Sequence, residues 1–247
     1  MGLQMVSPPS ERGRERYTPP IDTTSSTLTQ VLSQIGKPPL DRNQFSFLAD
    51  NQAASDTHLF YAGDLSLLRN PSVAVVGARA VSEEGERRAR RISREMAEAD
   101  VTVVSGLAKG VDFNAHQAAL AVGGRTAAVI GTPLTQAYPA EHKSLQQDIA
   151  EHHLLLSPFA PGTKVFPSNF PKRNRVMAAL TDGTVIVEAS DSSGTLHQAV
   201  ECEKLGRWLF LLKSVVDRSD LEWPARFLKY EKTVVVERSE DILDALR

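Results

Sequence analysis

Short apolar runs alternate with longer segments of helical spacing from residue 71 to the end of the chain. Runs of β-branched and aliphatic residues are typical of strands buried on both faces of a sheet. The predicted strands are Val73–Val76, Val101–Val104, Thr126–Ile130, Leu154–Leu156, Thr184–Glu188, Trp208–Leu212 and Thr233–Val236, with helices near 82–99, 113–122, 141–151, 167–180, 195–205 and 241–246. This alternation favours right-handed crossovers, so we predict an α/β fold with a doubly wound, mostly parallel sheet and helices on both faces.

The first 70 residues follow a different pattern. Residues 1–26 are rich in Pro, Ser, Thr, Arg and Glu, a composition that predicts a flexible N-terminal arm. Residues 27–70 are predicted to form a short helical and linker segment, in which Gly36 ends the helix and 59–64 is an edge strand. The helix is indicated by apolar residues on one face, namely Leu28, Val31, Leu32 and Ile35. Residues 71–247 then form the main domain.

Composition limits the classes of function. The 247 residues are 41% hydrophobic and carry 28 Lys and Arg against 30 Asp and Glu, so nucleic-acid binding would require a local basic patch. The single cysteine, Cys202, excludes an internal disulfide and a cysteine-based metal cage, and we predict that it is buried in a helix. No apolar run approaches a membrane span or a signal-peptide core. We therefore expect a cytoplasmic protein with no membrane partner, metal or cofactor.

Polar, glycine-containing turns follow several predicted strands at the sheet edge where ligands of such folds bind. Gly77–Ala78–Arg79 ends the first strand, and Lys109 lies between two glycines in the turn before the next helix. Lys172, Arg173 and Arg175 have no acidic residue within four positions on either side. Backbone N–H groups, cations and a stacking aromatic together favour a phosphate-rich ligand such as single-stranded nucleic acid. The candidate phosphate-binding residues are Gly77, Arg79, Ser105, Gly106, Lys109, Gly110, Phe170, Lys172, Arg173, Asn174, Arg175, Ser193, Gly194 and Thr195.

Structural roles remain open for several of these residues. The alternative role of Arg79 is a surface salt bridge, and that of Lys109 is a solvated position in a loop. Ser193–Thr195 has the alternative role of a helix cap. Asp112 is the predicted N-cap of its helix, and His116 is interpreted as structural. The arginines at 87–94 alternate with acids at helical spacing, so Glu83–Arg87, Glu84–Arg88 and Glu86–Arg90 are predicted ion pairs on a solvated face.

The motifs as a set resemble the DNA-processing protein A (DprA/Smf) family. They are Gly77–Ala78–Arg79, Ser105–Asp112 with Ala115–His116, Gly123–Thr126, Tyr138–Glu141, Asn169–Arg175, and Glu188–Ala189 followed by Ser193–Leu196. The resemblance implies a Rossmann-like core that binds single-stranded DNA without catalysis, forms a homodimer and passes the strand to a RecA-type recombinase. It also implies that Arg79, Lys109, Lys172, Arg173 and Arg175 hold phosphates, while Phe170 and Asn174 shape the pocket.

The sequence departs from that family in two places and leaves other functions open. Pro133 stands where the family has a glycine, and Ser219–Lys229 replaces an expected Asn-x-Leu-Ile segment. The wider superfamily includes LOG-type enzymes that cleave the N-glycosidic bond of nucleoside monophosphates. For that activity Glu141 and Glu188 are the alternative catalytic residues, although the double glycine and glutamate of the LOG motif are missing around Gly194–Thr195. A sensor of a nucleotide signal is a third possibility.

Overall fold

The computed structural model describes residues 17–41 and 57–247. The strands in these ranges are β1 (Thr24–Thr27), β2 (His58–Gly63), β3 (Ser72–Val76), β4 (Thr102–Ser105), β5 (Thr126–Val129), β6 (Leu154–Ser157), β7 (Gly183–Ile186), β8 (Trp208–Leu212) and β9 (Thr233–Val236). The α-helices are α1 (Leu28–Gln34), α2 (Glu83–Glu98), α3 (Val111–Ala121), α4 (Lys143–His152), α5 (Asn169–Leu180), α6 (Leu196–Lys204), α7 (Lys213–Val216), α8 (Trp223–Phe227) and α9 (Ser239–Leu246), and 3₁₀ turns cover Leu65–Arg69 and Ala140–His142.

All the described strands form one sheet in the order β1-β2-β6-β5-β4-β3-β7-β8-β9. Strands β3 to β9 are parallel to one another, whereas β2 pairs antiparallel with both β1 and β6. From β3 the chain adds β4, β5 and β6 on one side and then returns to add β7, β8 and β9 on the other. The turns after β3 and β7 therefore diverge, which makes this edge the topological switch point where ligands of open α/β sheets bind. The predicted α/β, doubly wound fold is confirmed.

The N-terminal predictions need correction. Residues 24–26, assigned to the flexible arm, lie in β1, where Thr24 pairs with Tyr61 of β2. The run at 59–64 is not an edge strand, because β2 lies between β1 and β6. Burial explains both differences: Leu59 of β2 and the apolar face of α1 join the same core as the main sheet. The remainder of the predicted arm, residues 1–16, lies outside the described residues.

Local sequence signals explain several element boundaries. Ser82 caps α2 by accepting a hydrogen bond from Gly85 N, and the three predicted Glu–Arg pairs on α2 are confirmed at 3.8, 2.5 and 4.0 Å. Cys202 is buried as predicted, and burial raises the pKa of its thiol to about 12. Helix α3 begins at Val111, two residues before its predicted start, because Gly110 adopts a positive φ of 76° that turns the chain directly into the helix.

Candidate nucleic-acid interface

A cleft of about 510 Å³ lies at the switch point between the carboxyl ends of β3 and β7. Its walls are the turn after β3 at 77–80, the first turns of α5, and the loop at 188–195, with Arg218 and Leu221 on the far side. Eight of the candidate phosphate-binding residues line it, namely Gly77, Arg79, Phe170, Arg173, Asn174, Ser193, Gly194 and Thr195. The fold thus brings residues from three separate motifs to one concave surface.

Arg79 is an exposed cation in the wall of this cleft. Its guanidinium carbon lies 5.2 Å from the centroid of the Phe170 ring, within cation–π range. A guanidinium that stacks by its face keeps its in-plane N–H donors directed outward, where they can reach an anion bidentately. Phe170 is in turn supported by Gly131, where a Cβ atom would lie only 2.7 Å from the ring. The glycine therefore allows the ring to approach the backbone.

The turns after β3 and β7 are joined by hydrogen bonds. Ala78 N donates to Glu188 O at 2.8 Å, and Thr195 Oγ1 donates to Gly77 O at 3.1 Å. A side chain at Gly77 would meet Val111 Cγ2 at 2.5 Å, so glycine permits this close approach. Gly194 is exposed and has open space where a Cβ would lie. The two turns consequently form a fixed frame around the mouth of the cleft.

The turn after β4, residues 105–110, is occupied by contacts within the protein. Ser105 Oγ donates to Val75 O at 2.7 Å, and the Asp112 carboxylate accepts from Gly106 N and Ala108 N at 3.2 and 3.4 Å. The predicted N-cap role of Asp112 is wrong, because the N-cap residue is Gly110 and no side chain caps this helix. Burial raises the pKa of Asp112, and the charge of Arg173 opposes that shift. The Asp112 carboxylate thus accepts hydrogen bonds from backbone N–H groups of a turn that was predicted to bind a phosphate.

Arg173 is buried against this turn. Its side chain is only 5% exposed, and Nη1 donates to Val129 O at 2.8 Å. A Cβ atom at Gly106 would lie 1.4 Å from Arg173 Nη1, so the guanidinium occupies the space that glycine leaves. Burial lowers the pKa of Arg173 and Asp112 opposes that shift. Arg173 therefore fastens the start of α5 to the ends of β4 and β5.

The other cations of α5 point in different directions. Arg175 Nε lies 3.7 Å from Glu201 Oε1 of α6, and the Glu201 carboxylate is buried. Burial raises the pKa of Glu201, while Lys204 and then Arg175 oppose the shift. Lys172 is half-buried outside the cleft, whereas Asn174 lines it. A helix turns by about 100° per residue, so cations that are adjacent in sequence diverge in space.

Lys109 and the two alternative catalytic carboxylates also have partners. Lys109 Nζ forms an exposed ion pair with Glu141 Oε1 at 2.8 Å, and this hydrogen bond lowers the pKa of Glu141. Glu188 lines the cleft but accepts from Ser82 N at 3.1 Å and Ser82 Oγ at 2.5 Å. Its carboxylate thereby holds the start of α2. Both carboxylates are therefore engaged with groups of the protein itself.

The structure also identifies residues that sequence analysis missed. Arg218 and His197 line the cleft, and Arg218 pairs with the carboxylate of Asp220. Asp191 accepts from Glu222 N and Trp223 N, which anchors this wall. Arg218 comes just before the segment that departs from the family pattern, so no motif indicated it.

His116, which was interpreted as structural, is buried. Its Nδ1 lies 2.7 Å from Thr126 Oγ1, and burial lowers the pKa of His116 to about 3.

Comparison with known proteins decides the family. The profile of the family described as DNA recombination-mediator protein A matches residues 40–247. The chain belongs to this family. It is 41% identical over 186 residues to DNA processing protein DprA of Streptococcus pneumoniae, covering 75% of this chain and 65% of that protein. It is 37% identical over 190 residues to protein Smf of Escherichia coli, covering 76% of this chain and 50% of that protein. The resemblance inferred from the motifs is confirmed.

Solved structures agree with this assignment. The X-ray structure of the S. pneumoniae protein superposes with a TM-score of 0.68 and 40% identity, over 76% of this chain and 65% of that one. DNA processing protein A of Helicobacter pylori, whose structure is described in terms of its single-stranded DNA binding mode, gives a TM-score of 0.70 at 26% identity over 90% of this chain and 95% of that one. The chain spans about half to two thirds of the length of the two curated relatives.

None of the helices in the described ranges has the length and apolar character needed to cross a membrane. Within the same ranges, no group of three or more His, Cys, Asp and Glu side chains is arranged to hold a metal ion.

Proposed function

We propose that this protein binds single-stranded DNA through the cleft between β3 and β7, mainly by contacts to phosphates. The observation that carries the proposal is the exposed Arg79 guanidinium stacked on Phe170 at the switch point of the sheet. A cation and an aromatic ring at one cleft suit a phosphate and a base, the two parts of a single strand. The H. pylori relative, described as binding single-stranded DNA, supports the same ligand here.

The candidate residues then divide into two groups. Arg79, Phe170, Asn174, Ser193, Gly194 and Thr195 line the open cleft and are proposed to contact the strand, with Gly77 allowing close backbone approach and Lys109 and Lys172 as outer contacts. Ser105, Gly106, Gly110, Arg173 and Arg175 are proposed to shape the site, because their groups are buried, closely packed or paired within the protein.

Charge reversal at Arg79 tests this proposal. We expect Arg79→Glu to weaken binding of single-stranded oligonucleotides on the order of 100-fold, for all sequences alike, and wild-type affinity to fall steeply with salt. The matched control is Arg87→Glu on the solvated face of α2, where Arg87 is 65% exposed beside Glu83 and Glu84. Binding would be measured by fluorescence anisotropy at two salt concentrations with single-stranded DNA, duplex DNA and RNA. Wild-type binding that ignores ionic strength would contradict the proposal.

A small nucleotide is the second candidate ligand, because a cleft of about 510 Å³ is within the usual size of small-molecule sites. If a sensor role is correct, AMP will saturate the cleft at concentrations where oligonucleotides fail to compete. If an N-glycosidase role is correct, AMP will release free adenine, and Glu188→Gln will abolish the release. We expect no release of adenine, since Glu188 is engaged with Ser82.

The proposed partners extend beyond the DNA. We propose a homodimer through β9, an edge strand whose Thr-Val-Val-Val sequence includes Val235 at 37% exposure. Antiparallel pairing of two copies about Val235 would put this side chain opposite Val235 of the second copy, which buries apolar surface at the sheet edge. Val235→Lys should give a monomer in light scattering, and an unchanged mass would contradict this interface.

The family description as a recombination mediator supports a further step, transfer of the strand to a RecA-type recombinase in the cytoplasm. Recombinase loading on single-stranded DNA, measured with and without this protein, tests that step. Equal loading in the two cases would contradict it.

A further inference from the structure

Beside the cleft, the loop between β5 and α4 presents an aromatic side chain that the proposed phosphate contacts do not use. Tyr138 is 44% exposed, and its ring centroid lies 5.6 Å from that of Phe170 at an interplanar angle of 45°. Phe170 in turn stacks with Arg79. Exposing a large aromatic surface to water is unfavourable, so its position next to a proposed phosphate-binding cation calls for an explanation.

The loop that carries Tyr138 is held firmly on both sides. Before it, the carbonyl of Gln136 accepts from Thr132 Oγ1 at 3.0 Å and from Gln146 Nε2 at 3.3 Å. After it, the buried His142 ring stacks on Phe113 with centroids 4.5 Å apart and donates from Nδ1 to Leu107 O at 2.8 Å. A side chain on an anchored loop loses little conformational entropy when a ligand stacks on it.

We propose that Tyr138 forms a nucleobase-stacking subsite outside the cleft, which receives a base of the strand whose phosphate contacts Arg79. This inference rests on the proposed function and adds a second contact to the bases, beside that of Phe170, to a mode of binding based mainly on phosphates. Every nucleobase has an aromatic face, so the subsite accepts all sequences and favours strands with intact bases over abasic ones. Because stacking involves no phosphate, the subsite leaves the salt dependence of binding unchanged.

Abasic oligonucleotides separate this subsite from the phosphate contacts, since they keep every phosphate and remove the bases. We expect the wild-type protein to bind an abasic strand about tenfold more weakly than the intact strand. Tyr138→Ala should weaken binding of the intact strand by a similar factor and leave abasic binding unchanged. Tyr138→Phe keeps the ring and should restore binding. Fluorescence of a 2-aminopurine base in the strand should be quenched by the wild type and less by Tyr138→Ala.

The matched control is Val122→Ala. Val122 is a similarly exposed apolar residue that follows the last residue of α3, and this variant should bind both strands as the wild type does. Circular dichroism will show whether each variant is folded. Equal binding of intact and abasic strands by the wild type overturns the subsite while leaving the proposed function intact. An equal loss on both strands in Tyr138→Ala also overturns it. If no oligonucleotide binds the wild type, the proposed function fails and this inference fails with it.

Discussion

Two glycine-containing turns at neighbouring strand ends, which look alike in sequence, differ in the structure. The turn after β3 carries an exposed Arg79 that faces the cleft. The turn after β4 is closed: Asp112 takes two of its backbone N–H groups, Arg173 fills the space at Gly106, and Lys109 pairs with Glu141. Backbone N–H groups and cations attract an external anion only where the chain does not supply its own. We infer that the first turn is for recognition and the second for support.

Removing the buried cation of the closed turn should have the largest effect. We expect Arg173→Met to lower the free energy of unfolding by about 3 kcal/mol, because it leaves Asp112 buried without its opposing charge and frees Val129 O. Urea denaturation measures the change. The matched control, Arg87→Met on an exposed face, should change stability by less than about 0.5 kcal/mol. Similar losses in the two variants would contradict a supporting role for Arg173.

Neutralising the cation of each turn compares them as binding surfaces. Arg79→Gln should weaken binding of single-stranded DNA about tenfold and reduce the salt slope by about one unit. Lys109→Gln should change affinity less than about threefold, because Glu141 already neutralises that lysine. Anisotropy titrations across a salt series measure both quantities. A larger loss at Lys109 than at Arg79 would reverse the assignment of the two turns.

The stability of the packing around the turn after β4 should decrease in acid because of His116. Burial lowers the pKa of His116 to about 3, whereas the unfolded residue titrates near its ordinary 6.5. The unfolded state therefore binds a proton that the folded state does not, so this contribution is present above pH 6.5 and is lost as pH falls toward 3. Between these two pKa values, the free energy of unfolding should fall by about 1.4 kcal/mol for each unit by which the pH falls.

Urea unfolding at pH 5.5 and 4.5 measures this dependence, and His116→Gln should make it shallower. The comparison rests on the slope with pH, because the substitution also changes stability at every pH. Identical slopes in the two proteins would rule out His116 as the source.

The smallest expected effect is a gain in affinity for single-stranded DNA. Glu141→Gln removes the ion pair of Lys109 and should strengthen binding of single-stranded DNA about two- to threefold at low salt, since the lysine becomes free to meet a phosphate. Glu151→Gln, a neutralisation of another exposed acid at the far end of α4, is the control and should have a smaller effect. A loss of affinity in Glu141→Gln would mean that this carboxylate itself assists binding.

Local sequence signals were enough to predict the alternating elements. The β-branched runs became strands, Ser82 capped α2, and the interleaved charges of α2 formed the expected pairs. The motifs also indicated the family and the edge of the sheet where ligands bind. These features depend on residues a few positions apart, whose geometry is set by helical and strand periodicity.

Contacts between distant segments decided the rest. Arg175 looked unpaired because Glu201 lies on another helix, and β1 and β2 looked peripheral because their burial depends on β6 and the core. Which of two similar turns remains open to a ligand depends on Asp112, Arg173 and Glu141, which come together only when the sheet assembles. The sequence by itself determined the helices and strands and the edge of the sheet where a ligand binds. The tertiary structure decided which cations face that ligand, because ion-pair partners and burial are properties of packing.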